Sequence, residues 1–389
     1  MKIVHVITRL IVGGAQENTL LSCEGLHARG HDVYLITGPS VGREGTLMDR
    51  AQGGGYHVIL EPHLVREPSP RHDLAAYRSL KRRVGELKPD IWHTHSSKAG
   101  IIGRVAAYGR GPIVVHTIHG LPFHPYQSRV AFHAWAALER FAAGRCDKLV
   151  VVADAMRNQA LAQGVGKADQ YVTIRSGMEI AKYRYSASAR DEVRRRFNIP
   201  NSRVVFGTIA RLQPLKGHAD ILAIAPLLIK ANPNIHFMWM GDGVFFNTFS
   251  QRIQELKLQD HFTLTGLLPP DEVGGFISAL DVLIHPSYRE GLPRAVPQAM
   301  LAGVPSITYD CDGAGEVCVN GETGVLIRPG DQQALRAAIE KLSVDAHWRK
   351  QLGHSGRILA EREFSAADMV QRLEQLYQQL MHRNVRNPS

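Results

Sequence analysis

Cysteine is scarce in this chain: Cys23, Cys146, Cys311 and Cys318 are its four among 389 residues, and no two form a C-x-x-C pair. That argues against a disulfide framework and points to reduced thiols in a cytoplasmic protein. Long apolar runs are also missing, since none reaches the ~18–20 residues that would span a bilayer. The apolar run at 2–7 is cut short by Thr8-Arg9, and it reads as a first strand, not as a signal peptide. No G-x-G-x-x-G follows a strand and no acidic residue closes the second strand at Thr37, which disfavours a nicotinamide-dependent oxidoreductase. Nucleic acid is an unpromising partner as well. The basic residues are not interleaved with aromatic ones, and no zinc-finger or RRM-type motif occurs.

What is present is ordinary for a globular chain, with 44% hydrophobic and 21% charged residues. The length favours two domains over one core. The formal charge of +10 is unevenly spread. Residues 1–180 hold 22 Lys and Arg against 15 Asp and Glu, whereas the remainder holds 24 against 21. The run Arg78-Ser-Leu-Lys-Arg-Arg83 stands out. A basic face there suits an anionic membrane surface or a phosphate-bearing acceptor, while a solvated helix face explains the same residues.

Strand-like runs alternate with amphipathic helical stretches through the first half, at 2–7, 31–37, 56–61, 91–95, 113–118, 148–152 and 171–174. Strands separated by helices of this length predict right-handed βαβ units and a parallel sheet. The polar segment 183–203, which carries Pro200, reads as the connection between domains. The pattern then restarts at 204–209 and continues at 236–240, 262–265, 282–285, 306–309 and 324–327. The fold class is therefore α/β, with two doubly wound Rossmann-like domains at 1–182 and 183–364. A last helix, with Met369, Leu373, Leu376 and Leu380 at helical spacing, is followed by a polar tail.

The candidate chemistry gathers at predicted strand ends, where open α/β sheets bind ligands. In the second half, Arg211 and Lys216 occupy the loop after its first strand, and Glu290-Gly291-Leu292 follows a later one. Two cations beside a helix N-terminus suit a diphosphate leaving group. Glu290 can accept hydrogen bonds from sugar hydroxyls or merely cap the next helix. Gly241-Asp-Gly243 and Thr265-Gly266-Leu267 end neighbouring strands and suit a nucleotide-base pocket. In the first half, Gly13 and Gly14 follow strand one and open a helix, which lets backbone approach a ligand. His93-Thr94-His95 and His119 end two further strands. The H-x-H pair reads either as structural or as metal ligation. Asp310-Cys311-Asp312 reads as a turn in preference to a metal-binding D-x-D. No metal and no cofactor is expected.

The stretch from Ile284 to Pro305, with Arg211 and Lys216 upstream, resembles the donor-binding signature of the retaining nucleotide-sugar-dependent glycosyltransferases of family 4 (glycosyl transferases group 1). In that family an acidic residue, seven intervening residues and a second acidic residue face the sugar and the ribose. Here the pair is Glu290 and Gln298, so an amide stands where the second carboxylate is expected.

The resemblance implies a GT-B architecture, two domains facing across a cleft that holds the active site, with the helix at 365–389 returning to the first domain. It implies that Arg211 and Lys216 stabilise the diphosphate, Glu290 holds sugar hydroxyls, Gln298 holds ribose and His119 supports the cationic sugar. It further implies transfer from a nucleotide-diphosphate sugar, UDP-linked by preference, to a carbohydrate or lipid-linked hydroxyl with retained anomeric configuration. Two rival readings remain from the residues alone. One is a non-catalytic nucleotide-sugar-binding protein. The other is a metal-dependent hydrolase using His93 and His95 with His119 and the Asp310/Asp312 pair.

Overall fold

A computed structural model of the chain describes residues 1–40 and 45–386. The chain divides into two compact units, 1–177 with 366–389, and 178–365. The tip of the polar tail, 387–389, lies outside the described residues.

Each unit is a parallel sheet built from the apolar, β-branched runs anticipated above. Among the described residues the first sheet has seven strands: β1 (Lys2–Arg9), β2 (Asp32–Gly38), β3 (His57–Leu60), β4 (Ile91–His95), β5 (Ile113–Ile118), β6 (Lys148–Val151) and β7 (Tyr171–Thr173). Their order in space is β3-β2-β1-β4-β5-β6-β7. The second has six: β8 (Val204–Ile209), β9 (Ile235–Met240), β10 (Phe262–Gly266), β11 (Val282–His285), β12 (Ser306–Tyr309) and β13 (Gly324–Ile327), ordered β10-β9-β8-β11-β12-β13. The central strands are buried on both faces and read as near-continuous apolar runs, as helices on both sides of a parallel sheet require.

The strand order reverses between β1 and β4 in the first unit and between β8 and β11 in the second. Loops leaving the carboxyl ends of those strands diverge, and the gap between them is where such sheets accept ligands.

The C-terminal helix Ala366–Arg386 belongs to the first unit. Met369, Val370, Leu373, Leu376, Tyr377 and Leu380 join the core formed by β1, β2 and the helix Gly14–Ala28. Gly25 is the contact point, because a Cβ there would sit 2.5 Å from a methyl of Val370. Glu374 completes the docking through Arg29 and His31, each at 2.7 Å.

One expectation needs correcting. The segment 183–203 is not a loose connection but part of the second unit. It carries the helix Ala187–Arg196, whose Arg194 is buried and donates to the Ala279 carbonyl and to Asp281 at 2.9 Å. A helix that buries a guanidinium through hydrogen bonds shows no apolar stripe, so its sequence reads as polar linker.

No described helix is long and apolar enough to cross a membrane. The basic run on the helix Pro70–Leu87 is partly neutralised, since both Arg82 and Arg83 pair with Glu86.

The first unit also hides an ion pair, Arg104 to Glu139 at 2.7 Å, with side chains 0% and 4% exposed. Glu139→Ala would leave that guanidinium buried without its counter-charge. The expected loss is about 3–5 kcal/mol, read by urea unfolding.

Candidate active site

In the second unit, the loop 210–217 runs from β8 into the helix His218–Ala231. It turns through left-handed backbone at Leu215 (φ 67°) and Gly217 (φ 72°). Gly217 has no substitute here, because a Cβ would lie 2.0 Å from the Pro286 carbonyl oxygen. A non-glycine residue in that conformation is uncommon outside functional turns. The turn packs against the loop after β11, whose Tyr288 amide donates to the Leu215 carbonyl at 2.9 Å.

That packing brings Lys216 to Glu290, with Nζ 2.5 Å from Oε1. His285, at the end of β11, lies 3.0 Å from the same oxygen through Nε2. The Glu290 amide donates to Asp312 Oδ2 at 2.7 Å, and the Gly313 amide donates to the Gly291 carbonyl at 3.2 Å. Burial disfavours charge on Glu290, but the Lys216 ammonium and the His285 ring outweigh it and hold the carboxyl far below its usual range. Arg289 beside it is pulled the other way: burial pushes its guanidinium down while Asp312 and Glu290 oppose the shift.

Arg211 is exposed on the same loop as Lys216. Gly241, at φ 142°, packs so closely that a Cβ would meet the Ala210 carbonyl at 2.1 Å. Its amide donates to the Gly266 carbonyl, tying together the loops after β8, β9 and β10. Leu267, next in chain, is 43% exposed at that edge. Leu292 is buried. Gln298 lies in the helix Ala295–Leu301, whose residues are all buried, and its amide donates to the Tyr183 hydroxyl at 3.0 Å.

In the first unit, Gly13 precedes the helix Gly14–Ala28 in fully extended backbone that any residue can adopt. Its nearest obstacle is the flexible side chain of Gln16. His119 directly follows β5 and is half-buried, with Nε2 3.1 Å from His95 Nδ1. Ser96, next to His95, holds φ 62° and ψ 158°, a region that side chains rarely occupy. Its hydroxyl is 2.7 Å from that of Thr8 at the end of β1.

The histidines form one body. Among the described residues, the ring nitrogens of His5, His93 and His95 lie within 4.8 Å of one another. Five of their six ring nitrogens are already engaged, by Tyr377, Thr117, His119 and each other. Burial lowers all three pKa values, to about 3 for His5.

Sequence reasoning found Lys216 and Glu290 but missed His285, Asp312, Arg289 and His5. Only Asp312 left a signal, as the acidic turn residue ahead of Gly313. His285 and His5 read as ordinary strand positions.

Glu290→Gln removes a carboxylate whose folded pKa is depressed. Its contribution is full above the unfolded value near 4.3 and is lost as pH falls through that value toward the folded one. The Tm advantage of wild type over Glu290→Gln should therefore be largest near pH 7 and shrink steadily below about pH 4, as followed by scanning calorimetry.

Two family models cover most of the chain. The glycosyl transferase 4-like domain matches residues 13–177, and glycosyl transferases group 1 matches residues 189–358. A UDP-Gal:alpha-D-GlcNAc-diphosphoundecaprenol alpha-1,3-galactosyltransferase of Escherichia coli is 28% identical over 89% of this chain and 88% of its own. The capsular polysaccharide biosynthesis glycosyltransferase CapM of Staphylococcus aureus is 24% identical over 91% of each. Anabaena HepE, solved with UDP-glucose, superposes with a TM-score of 0.83 at 20% identity, over 97% of this chain and all of that one. Two parallel-sheet units with these likenesses make the architecture GT-B, and the chain belongs to the group 1 glycosyltransferases.

Proposed function

We propose that the protein transfers a sugar from a UDP-sugar to a hydroxyl of a lipid-linked or polysaccharide acceptor, with retention and without a metal. The observation that carries this reading is the convergence of the 210–217 loop on the loop after β11. It sets Lys216 against Glu290 beside the N-terminus of the helix His218–Ala231. On donor binding, Arg211 and Lys216 take the charge that grows on the diphosphate as the glycosidic bond breaks. Glu290, kept ionised by its neighbours, accepts hydrogen bonds from sugar hydroxyls. The amides of Gly291 and Leu292 face phosphate, while Gly241 and Leu267 border the base. Gln298 serves the ribose through the amide oxygen, its nitrogen being held by Tyr183. In the first unit, Gly13 and Gly14 let backbone approach the donor and His119 supports the cationic sugar.

The preference for UDP draws on the donor named for the Escherichia coli relative and on the ligand of HepE. Retention draws on that relative's alpha linkage, since an α product from an α-linked nucleotide sugar keeps its configuration. The departing phosphate then takes the acceptor's proton on the same face, and no separate general base is needed.

Arg211→Ala and Lys216→Ala should each lower turnover by roughly 10²–10³, measured as product formed from a matched UDP-sugar and acceptor. Excess chelator should leave the wild-type rate unchanged. Turnover close to wild type in both variants would remove the clamp, donor binding without product would favour a binding protein, and abolition by chelator would favour the hydrolase.

We place the protein in the cytoplasm, at an anionic membrane face. The helix Arg129–Ala143 exposes Val130, Ala134, Ala137, Leu138 and Phe141 on one stripe, with Val130 82% exposed. Arg129 and Arg140 flank the stripe, and the Arg145 guanidinium sits 3.5 Å over the Phe141 ring. An apolar stripe edged by arginines suits an anionic lipid surface. The double variant Leu138→Asp with Phe141→Asp should lose flotation with phosphatidylglycerol vesicles while its urea midpoint stays within error of wild type.

A further inference from the structure

The row of histidines in the first unit has a direction. His5 Nδ1 is 2.9 Å from His95 Nε2, and His95 Nδ1 is 3.1 Å from His119 Nε2. At the inner end, His5 Nε2 is buried and has no hydrogen-bond partner. His5 and His95 are fully enclosed, and burial disfavours a charge on either ring. Each therefore carries a single N–H.

Four arrangements of those protons are conceivable, and three are poor. With His5 protonated on Nδ1 and His95 on Nε2, two N–H groups would collide across 2.9 Å. If His5 kept its proton on Nε2 while His95 kept its own on Nδ1, two lone pairs would face each other across 2.9 Å. If the row ran inward from His119, the last N–H, on His5 Nε2, would point into the core with no acceptor. Orphaned buried donors are among the rarest features of folded proteins, because the proton's concentrated charge loses all solvation. If the row runs outward, His5 donates to His95, His95 donates to His119, and the one unsatisfied atom is a lone pair. The cross-strand stack holds the rings in place for this, with centroids of His5 and His95 5.1 Å apart and those of His95 and His119 5.3 Å apart.

We infer that this row fixes His119 as its Nδ1–H tautomer, with His95 and His5 as positioning residues. The inference rests on the reading of His119 as the group beside the transferred sugar and adds to it. A protonated His119 would need an N–H on Nε2, facing the N–H of His95. Accepting it would reverse the whole row and strand the donor of His5. The row thus holds the ring neutral, and a neutral ring does not repel the positive charge that develops on the sugar.

Two of these rings, His5 and His95, together with the buried His93, offer ligand atoms of metal-binding type. Both nitrogens of His93 are taken, by the Tyr377 hydroxyl at 2.5 Å and by Thr117 at 2.7 Å, and the row takes those of His95. A hydrogen-bonded relay accounts for every nitrogen but one.

The test is ¹⁵N NMR of the full chain labelled at histidine. It reads which nitrogen of each ring is protonated, whether or not the enzyme turns over. In the wild type, His5, His95 and His119 should each show a protonated Nδ1 and an unprotonated Nε2. His5→Asn, whose amide can donate to His95 in place of Nδ1, should keep that pattern. His5→Asp, whose carboxylate can only accept, should move the protons of His95 and His119 to Nε2, with kcat falling roughly two- to ten-fold and KM for the donor unchanged. A wild-type His119 protonated on Nε2 would overturn the inference, as would Nδ1–H tautomers surviving on His95 and His119 in His5→Asp. Reversed tautomers with an unaltered kcat would uphold the row and refute the role of His119 in transfer.

Discussion

The second unit depends on a single close approach, that of the 210–217 loop to the loop following β11. Leu215 and Gly217 turn back through left-handed backbone so that Lys216 reaches Glu290. The Pro286 carbonyl leaves no space for a side chain at Gly217. Strain in the backbone is tolerated because two adjoining strands, β8 and β11, hold the loops at fixed spacing. The pair is only partly buried, with side chains 21% and 15% exposed, and the lost hydration of its two ions offsets part of their attraction. What the contact fixes is position: a cation and an anion are held together at one strand edge.

The first unit solves a different problem with the same geometry. Its switch point carries neutral imidazoles rather than charges, stacked across β1 and β4 and continued by His119 after β5. Burial removes the option of protonation, and hydrogen bonds replace it with a fixed direction. Tyr377 reaches this stack from the C-terminal helix, so the return of the chain at 366 is part of what orders the rings. The strand ends of one unit thus carry charged side chains, and those of the other carry buried imidazoles.

Much of this was legible in the residues. The thirteen strands among the described residues follow from apolar runs broken by glycine and by helical stretches. The order of motifs around Arg211, Lys216 and Glu290 carried the family. Less legible was 183–203, where a helix anchored by the buried Arg194 looked like linker because its contacts are polar. Gln298 was read as a ribose ligand, and the fold commits its amide nitrogen to Tyr183, a partner 115 residues away. His5 looked like one more strand residue, and nothing adjacent to it hinted that it ends a hydrogen-bonded row.

The sequence by itself determined the alternation of strand and helix, the two parallel sheets and the loops that bear charge, since these rest on local periodicity and on turn residues. Only the tertiary structure decided which groups meet. Lys216 and Glu290 are 74 residues apart, and His5 and His95 are 90 apart. Hydrogen-bond partners, and with them protonation and tautomer, depend on through-space contacts of a few ångströms that no local pattern encodes.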